Sequence, residues 1–328
     1  MSVHDLVGER LPDRAKPAAE SLAHLLVPGM SLRKLRESRA TRARFVERFF
    51  ESEAEFEGYE AEFFGGRIVE ICRSASDRVP AGASIYDAHM DECVRLYALV
   101  RKYRPNTIVE TGVYNGVSTA SMLLALDEND SGELHSLDAS PLLAARGERT
   151  QNGGMPAERV SYYERGRPSC AEAGTQRLPV DREPGWIIPA DLRDRWTLTV
   201  GRSQRELPGL LASLDPVELF VHDSEHAASA MAFEVELAWE HLVPGGMAVS
   251  FHVDRNRVFE TFAAERRCER GRLTYTYNGF EDYDSHCCSG YLLKRPGRRF
   301  ETGETGTAER PEDRAKEGIR HASAGETS

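Results

Sequence analysis

Apolar residues along this chain fall into short runs that are separated by stretches with helical spacing. The short runs predict buried strands at 107–110, 132–138, 196–200, 218–222 and 247–251. Helical spacing is clearest in the segment 86–103, which has Asp87 near its start and Pro105 beyond its end. Strands that alternate with helices are typical of an α/β fold built on a parallel sheet.

The last part of the pattern departs from a purely parallel sheet. After a helix predicted near 256–268, the segments 273–277 and 290–294 can pair as antiparallel strands. We therefore expect an α/β fold with a Rossmann-like, doubly wound sheet of seven strands and a terminal antiparallel hairpin. A dinucleotide dehydrogenase would instead continue its sheet with parallel strands.

Residues 1–84 form a mostly polar segment with helical tendency ahead of this sheet. An aromatic cluster lies among its charged residues and consists of Phe45, Phe49, Phe50, Phe56, Phe63 and Phe64. One interpretation is that these side chains pack the segment onto the main domain or onto a second subunit, which would give a homo-oligomer. The other interpretation is a lid over a substrate.

The main domain is expected to span residues 85–295, with an irregular insertion at 140–194. The insertion is rich in Gly, Pro and Arg and has one strand-like stretch, at 160–163. Long connections of this kind inside a compact fold usually serve function. Residues 296–328 contain almost no large apolar side chain, so we expect a disordered tail.

Composition narrows the class of protein. The chain has 328 residues, of which 40% are apolar, and a formal charge of −11. This charge argues against binding along a nucleic-acid backbone, which requires basic surface. No apolar run approaches the roughly 20 residues of a membrane span, and the first residues lack the order of a signal peptide. We therefore expect a cytoplasmic protein that does not bind a membrane.

The basic residues are 37 arginines and only 5 lysines. An acidic, lysine-poor chain resembles halophilic proteins of high-salt cytoplasm, although a GC-rich genome gives the same bias. The six cysteines show no paired spacing, which predicts reduced, structural thiols rather than a zinc module or a disulfide framework. We expect Cys287 and Cys288 to pack at the closing hairpin.

The most informative segment contains the first predicted strand and the turn after it. Glu110 closes the strand, and Gly112 and Gly116 supply a turn into the next helix. Glycines let a backbone approach a ligand closely, and a helix N-terminus offers free N–H groups. The second strand then ends in Asp138, where a carboxylate can accept hydrogen bonds from a ribose. This pattern predicts a nucleotide-type cofactor site.

The spacing in the turn separates two classes of cofactor. A dinucleotide fingerprint needs G-x-G-x-x-G, whereas this chain has Tyr114 at the middle position and Thr119 where the last glycine would be. NAD is therefore disfavoured. Either Ser118 or Thr119 is expected to cap the helix.

Glu110-x-Gly112-x-x-x-Gly116, with Asp138 ending the next strand, resembles the first two motifs of class I S-adenosylmethionine-dependent methyltransferases. Residues 185–254 resemble the small-molecule branch of that family, because strand four ends in Asp-x-x-His and Pro-Gly-Gly introduces strand five. The resemblance implies S-adenosylmethionine as cofactor and a small-molecule acceptor, methylated on oxygen.

The resemblance also implies the residues that hold the cofactor. They lie in the turn and at neighbouring strand ends: Glu110, Gly112, Tyr114, Gly116, Ser118, Asp138, Arg202, Ser203 and Asp223. Arg202 departs from the family, which often has an acidic residue near the adenine amino group. A guanidinium can stack on the ring but cannot accept its N–H, so we expect adenine recognition by Ser203 and backbone groups.

Acceptor chemistry is expected at the ends of strands four and five, in Asp223, His226 and His252. Methyl transfer to a hydroxyl requires alignment of the acceptor and removal of its proton, and a histidine pKa of about 6.5 suits the second task. The alternative for each histidine is an ordinary hydrogen bond within the fold. On the helix after strand four, Glu234 and Glu236 are expected to lie on a solvated face.

Asp223 also resembles the aspartate that binds a divalent ion in metal-dependent O-methyltransferases. Those relatives end strand five with two adjacent metal ligands, whereas this chain has Phe251, His252 and, two residues further on, Asp254. The loss of an oxygen ligand disfavours Mg²⁺. A metal held by Asp223, His252 and Asp254 is therefore the weaker alternative, with His252 suited to a softer ion, and we expect the histidines to activate the acceptor.

Two hypotheses of function follow. The first is a methyltransferase that acts on a small-molecule acceptor, with O-methylation as the reaction. The second is a degenerate, non-catalytic relative that binds S-adenosylmethionine or another nucleotide. The altered end of strand five favours the second hypothesis.

Overall fold

The computed structural model of the chain describes residues 32–78, 90–139, 182–214, 216–276 and 286–295. Within these residues it contains eight α-helices, one short 3-10 helix and seven strands. The helices are α1 (Leu32–Phe49), α2 (Glu53–Gly65), α3 (Arg67–Ser76), α4 (Met90–Tyr103), α5 (Val117–Asn129), α6 (Ser203–Ser213), α7 (Ala228–His241) and α8 (Val258–Arg266). The strands are β1 (Thr107–Thr111), β2 (Glu133–Asp138), β3 (Trp196–Val200), β4 (Val217–His222), β5 (Leu242–Ser250), β6 (Glu269–Thr276) and β7 (His286–Leu293).

Besides parts of the predicted helical segments 1–84 and 86–103, three predictions concern residues outside the described ranges. They are the strand at 160–163, most of the insertion at 140–194 and the tail at 296–328.

The strands form one sheet in the order β3-β2-β1-β4-β5-β7-β6. Parallel pairing joins β3 through β5, and β7 runs antiparallel to both of its neighbours. This confirms the predicted doubly wound sheet with its terminal hairpin. The chain moves outward in one direction from β1 and in the other direction from β4. In open α/β sheets, ligands bind beyond the carboxyl ends of the two strands at such a switch point.

Two hydrophobic cores cover the two faces of the sheet. Successive side chains of a strand point to opposite faces, and the central strands follow this period of two. Ile108 and Val221 belong to the core formed with α1 to α5, whereas Val109 and Phe220 belong to the core formed with α6 to α8. Because both faces are buried, the central strands present apolar side chains to both faces, as expected for parallel strands.

Strand β5 begins at Leu242, five residues before the predicted start. The Pro-Gly-Gly sequence was expected to precede the strand. Instead, the backbone N–H of Gly245 donates to Lys294 and the N–H of Lys294 donates to Gly246, so these glycines are part of the strand. Gly245 has a φ of 91°, a conformation that favours glycine.

The N-terminal helices α1 to α3 pack into the same core as α4 and α5. Phe49 meets Tyr291 of β7 edge to face, with ring centroids 4.7 Å apart. The opposite residue in β6 is Gly271, where a Cβ would lie 2.1 Å from the Tyr291 ring. Five of the six predicted phenylalanines are buried, and Phe64 is 46% exposed. The described side chains therefore pack on the main domain.

Two further observations concern the described residues only. No helix among them combines the length and the apolar character needed to cross a bilayer. The thiols of Cys72, Cys93, Cys268 and Cys288 form no disulfide bonds.

Candidate active site

Glu110 lies at the carboxyl end of β1 and is fully buried. The hydroxyls of Ser118 and Thr119 donate to its two oxygens at 2.8 Å each, and the hydroxyl of Ser136 donates at 2.7 Å. Burial raises the pKa of Glu110 to about 7, although the three hydroxyl donors oppose this shift. The carboxylate therefore anchors the start of α5 to β1 and β2.

The same contacts correct the predicted helix cap. The residue that caps α5 is Gly116, with a φ of 97° and no side-chain hydrogen bond. Ser118 and Thr119 lie inside the helix, where both hydroxyls point to Glu110. The cap prediction was wrong because a buried carboxylate offered these hydroxyls stronger, charge-assisted bonds.

The loop between β1 and α5 needs glycine at two positions, because a side chain there would collide with neighbouring backbone. At Gly112, which has a φ of 89°, a Cβ would lie 2.2 Å from the carbonyl oxygen of Asp223. At Gly116, a Cβ would lie 2.8 Å from the Cα of Gly185. The loop is therefore fixed between the end of β4 on one side and the segment that precedes β3 on the other. Tyr114 also has a positive φ, of 48°.

Asp138 ends β2 and holds this loop through its carboxylate. Its Oδ2 accepts the backbone N–H groups of Val113 at 2.8 Å and of Tyr114 at 2.7 Å. Burial raises the pKa of Asp138, and the backbone N–H donors oppose the rise. A carboxylate has about four acceptor positions, so Asp138 can still accept a hydroxyl from a ligand. This donor and acceptor pattern fits a ribose-containing cofactor.

The segment before β3 closes one side of the loop, which the sequence did not reveal. Trp186 donates from its indole Nε1 to the side-chain oxygen of Asn115 at 2.8 Å. The backbone N–H of Gly185 donates to the carbonyl of Tyr114 at 2.9 Å. In the sequence, Gly185 and Trp186 belong only to the family resemblance, because no local spacing connects them with the glycine turn.

Asp223, His226 and His252 come together at the carboxyl ends of β4 and β5. One ligand-type atom from each of the three residues lies within 4.8 Å of the other two, and all three side chains are partly buried. The imidazole rings of His226 and His252 have centroids 4.2 Å apart. We call these three residues the Asp-His-His cluster.

The backbone around the cluster is constrained from several directions. The N–H of Asp223 donates to the carbonyl of Thr111 in β1 at 2.8 Å. His252 has a φ of 53°, an uncommon conformation for residues other than glycine. The side chain of Asn256 donates to the carbonyl of His226 at 3.1 Å. Strained residues that are held firmly in place are common at functional sites.

Several carboxylates surround the cluster. Burial raises the pKa of Asp223 well above its usual range, and the charges of Glu92, Glu110 and Asp138 add to the shift. Glu92 belongs to α4 and is only 1% exposed, and its position was not recognised from the sequence. The region is therefore electronegative and favours a ligand that carries positive charge.

His222 and Glu234 form a buried pair beside the cluster. The Nδ1 of His222 lies 2.7 Å from Oε2 of Glu234, and neither side chain is exposed. The prediction that Glu234 lies on a solvated face was wrong. A signal was present, because buried Met231 and Ala238 lie three residues before and four residues after it on the same face of α7.

Two other predicted cofactor residues have different surroundings. Arg202 precedes α6 as its N-terminal cap and is half-buried. Ser203 is buried, and its hydroxyl donates to Glu234. Their roles at an adenine ring stay predictions.

The Asp-His-His cluster does not match the donor set of a magnesium site. Mg²⁺ prefers oxygen ligands, and the cluster offers a single carboxylate with two imidazoles. Phe251 is 2% exposed and packs in the first core, so it leaves no ligand at the place where metal-dependent relatives have one. Asp254, which the sequence suggested as a third ligand, is absent from the group that the described residues form.

Comparison with known proteins identifies one family. Residues 109–252 match a family model described as a methyltransferase domain. No curated protein sequence matches the chain.

Solved structures give weaker similarities. An O-methyltransferase from Bacillus cereus, solved in complex with SAH, is 15% identical, with 80% of this chain and 100% of that chain covered and a TM-score of 0.44. The O-methyltransferase TomG from Streptomyces achromogenes, involved in tomaymycin synthesis and solved in complex with SAM, is 14% identical, with 80% and 100% covered and a TM-score of 0.43. Similarities this low carry no argument about function.

Proposed function

We propose that this chain, which belongs to the class I S-adenosylmethionine-dependent methyltransferases through the methyltransferase domain at 109–252, methylates a hydroxyl oxygen of a small molecule. The proposal has three parts, namely the cofactor, the chemistry at the acceptor and the class of acceptor. Named residues support the first two parts, and Asp223 belongs to both of these sets.

The observation that supports the proposal most directly is the contact between the glycine loop and the Asp-His-His cluster. A Cβ at Gly112 would lie 2.2 Å from the carbonyl oxygen of Asp223, so the two backbones touch. The loop that would hold the cofactor therefore adjoins the side chains that would face the acceptor. Alignment of two reactants in this way supplies much of the rate in a displacement reaction.

S-adenosylmethionine, when bound, supplies a methyl group on a positively charged sulfonium. We assign its binding to the predicted residues of the loop and the strand ends, namely Glu110, Gly112, Tyr114, Gly116, Ser118, Asp138, Arg202, Ser203 and Asp223. Asp138 would accept the ribose hydroxyls with its remaining acceptor positions. The carboxylates around Asp223 favour a cationic ligand.

The Asp-His-His cluster is assigned to the acceptor. The bound cofactor would supply the methyl group by breakage of its methyl carbon–sulfur bond, with S-adenosylhomocysteine as the leaving group. An imidazole nitrogen of the cluster would take the proton of the acceptor hydroxyl. General base catalysis of this kind contributes typically about 10²–10⁴-fold to a rate. Asp223 and the second histidine orient the imidazole that acts. Magnesium has no part in this assignment, because the donor set does not suit it.

The experiment is a methyl-transfer assay with the full chain, labelled S-adenosylmethionine and a panel of phenols, sugars and polyketides. Parallel reactions contain EDTA or added Mg²⁺. The proposal expects a methyl ether as product and unchanged turnover with EDTA. A product methylated on nitrogen or carbon would contradict the acceptor assignment.

Two other outcomes of the assay are informative. Loss of activity with EDTA and recovery with a divalent transition ion would make the Asp-His-His cluster a metal site. Tight SAH binding without turnover on any acceptor would favour a non-catalytic relative.

The cytoplasmic location, the high-salt setting and a homo-oligomer stay predictions.

A further inference from the structure

The buried pair His222–Glu234 has no assigned part in the proposed reaction. Glu234 receives hydrogen bonds from four side chains: His222, Thr111, Ser224 and Ser203. These residues come from the end of β1, the end of β4, the loop that carries Asp223 and the start of α6. A single carboxylate thus connects four elements at the edge of the sheet where the candidate site lies.

The surroundings of Glu234 define its charge state. Burial raises its pKa, but the close contact with His222 and the hydrogen bonds from its neighbours outweigh burial, so the pKa of Glu234 is lowered. An ionised carboxylate can only accept hydrogen bonds. The Nδ1 atom of His222 must therefore carry a hydrogen, and Nε2 is the ring atom that remains to interact elsewhere.

Nε2 of His222 is buried and has no hydrogen-bond partner among the described residues. An unsatisfied buried polar atom is destabilising, and each such atom in a native structure calls for an explanation. The ring of His222 lies edge to face with the ring of His226, at a centroid distance of 6.2 Å and an angle of 75°. This separation suits contact through one water molecule better than a direct hydrogen bond.

We propose that Glu234 and His222 form a positioning pair for His226. Glu234 holds His222 with its hydrogen on Nδ1, and Nε2 of His222 then accepts a hydrogen bond, through water, from the imidazolium that His226 becomes. The proton on His226 comes from the acceptor hydroxyl, and no further reactant is required. Neither Glu234 nor His222 touches the acceptor. The inference rests on the proposed function, because it assigns His226 as the base.

A purely structural role is the alternative, because Glu234 also links Thr111, Ser203 and Ser224. The two roles predict different results. Loss of a structural link would lower stability and cofactor affinity together. Loss of a positioning pair would lower kcat and leave the KM for the acceptor and the affinity for SAH nearly unchanged.

The main test compares Glu234→Gln with Glu234→Asp and with the control Glu236→Gln. Glu236 lies two residues along the same helix and is only half-buried. For Glu234→Gln we expect kcat to fall about 10–100-fold, the range typical for residues that orient a functional imidazole, with SAH affinity within about threefold. Glu234→Asp should recover part of kcat, and Glu236→Gln should behave like the unchanged chain. An unchanged kcat, or a parallel loss of SAH affinity and stability, would overturn the inference.

A second measurement covers variants that fail to fold. Nitrogen-15 NMR of the unchanged chain, labelled at histidine, reports which ring nitrogen of His222 carries the hydrogen. The inference expects hydrogen on Nδ1 and none on Nε2, and a hydrogen on Nε2 would overturn it. This measurement needs no turnover, so it tests the pair even if methyl transfer itself is not observed.

Discussion

The two halves of the carboxyl edge of the sheet satisfy their carboxylates in different ways. On the β1 and β2 side, Glu110 is satisfied by Ser118 and Thr119, only eight and nine residues further along the chain. On the β4 and β5 side, Glu234 receives a hydrogen bond from Thr111, at a separation of 123 residues. The first half is organised within the segment from β1 to β2, whereas the second half also depends on contacts between residues that lie far apart along the chain.

The difference suggests that one half binds a ligand and the other half transfers protons. In the β1 and β2 half, hydroxyls and backbone N–H groups hold the carboxylates still, as a binding site requires. In the β4 and β5 half, three titratable side chains lie within 4.8 Å of one another, and His252 has a φ of 53°. Crowded titratable groups on a constrained backbone are typical of sites that move protons. Binding and proton transfer can therefore be disturbed separately.

The largest expected effect is a loss of activity in the β4 and β5 half that leaves cofactor binding in the β1 and β2 half intact. His226→Ala should lower kcat by about 10²–10⁴-fold, because it removes the proposed base, while SAH still binds. The matched control is His241→Ala, at the C-terminus of α7 and outside the cluster. Kinetics and calorimetry on both variants provide the check. Equal activity of the two variants would remove His226 from the reaction.

The second prediction concerns protein stability at the contact between the two halves. Gly112→Ala should cost about 2–6 kcal/mol of stability, the sum of left-handed strain and overpacking against the Asp223 backbone. Gly209→Ala is the matched control, because nothing lies within 4 Å of its Cβ position in α6. There we expect a gain of about 0.4–1 kcal/mol. Denaturant unfolding of both variants measures the difference, and similar stabilities would show that the loop and β4 do not meet.

A smaller effect is the pH dependence of stability, which we attribute to Glu110 in the β1 and β2 half. Glu110 has a folded pKa of about 7, raised from 4.5. Between these values the unfolded chain loses the proton while the folded chain keeps it, so stability falls as pH rises and levels off above pH 7. The total change is at most about 3 kcal/mol.

Glu110→Gln removes this contribution, so its stability should depend less on pH between 4.5 and 7. The measurement is the melting temperature of the cofactor-free chain and of the variant across that range. Parallel curves would show that the pKa of Glu110 is not raised.

The local half of the site could be predicted well from sequence. Glu110, Gly112 and Asp138 stand at fixed spacings around one strand, so the motif itself brings them together. The prediction of the helix cap was nevertheless wrong, because the hydroxyls of Ser118 and Thr119 donate to Glu110, and the local pattern does not reveal that this carboxylate is buried.

The distant half was predicted only in part. The cluster of Asp223, His226 and His252 was expected, because parallel strands place their carboxyl ends together. Glu234 was placed on the wrong face because charged residues are usually exposed. Two of its four partners, Thr111 of β1 and Ser203 of α6, lie far from it along the chain, and only the assembled fold brings them within reach.

The central claim is that the β1 and β2 half binds S-adenosylmethionine. Isothermal titration of the full chain with SAH and, separately, with NAD tests it most directly. We predict binding of SAH and none of NAD, with Asp138→Ala weakening SAH by about 1–3 kcal/mol and the exposed control Asp127→Ala leaving it unchanged. Tight binding of NAD with no response to SAH would contradict the account.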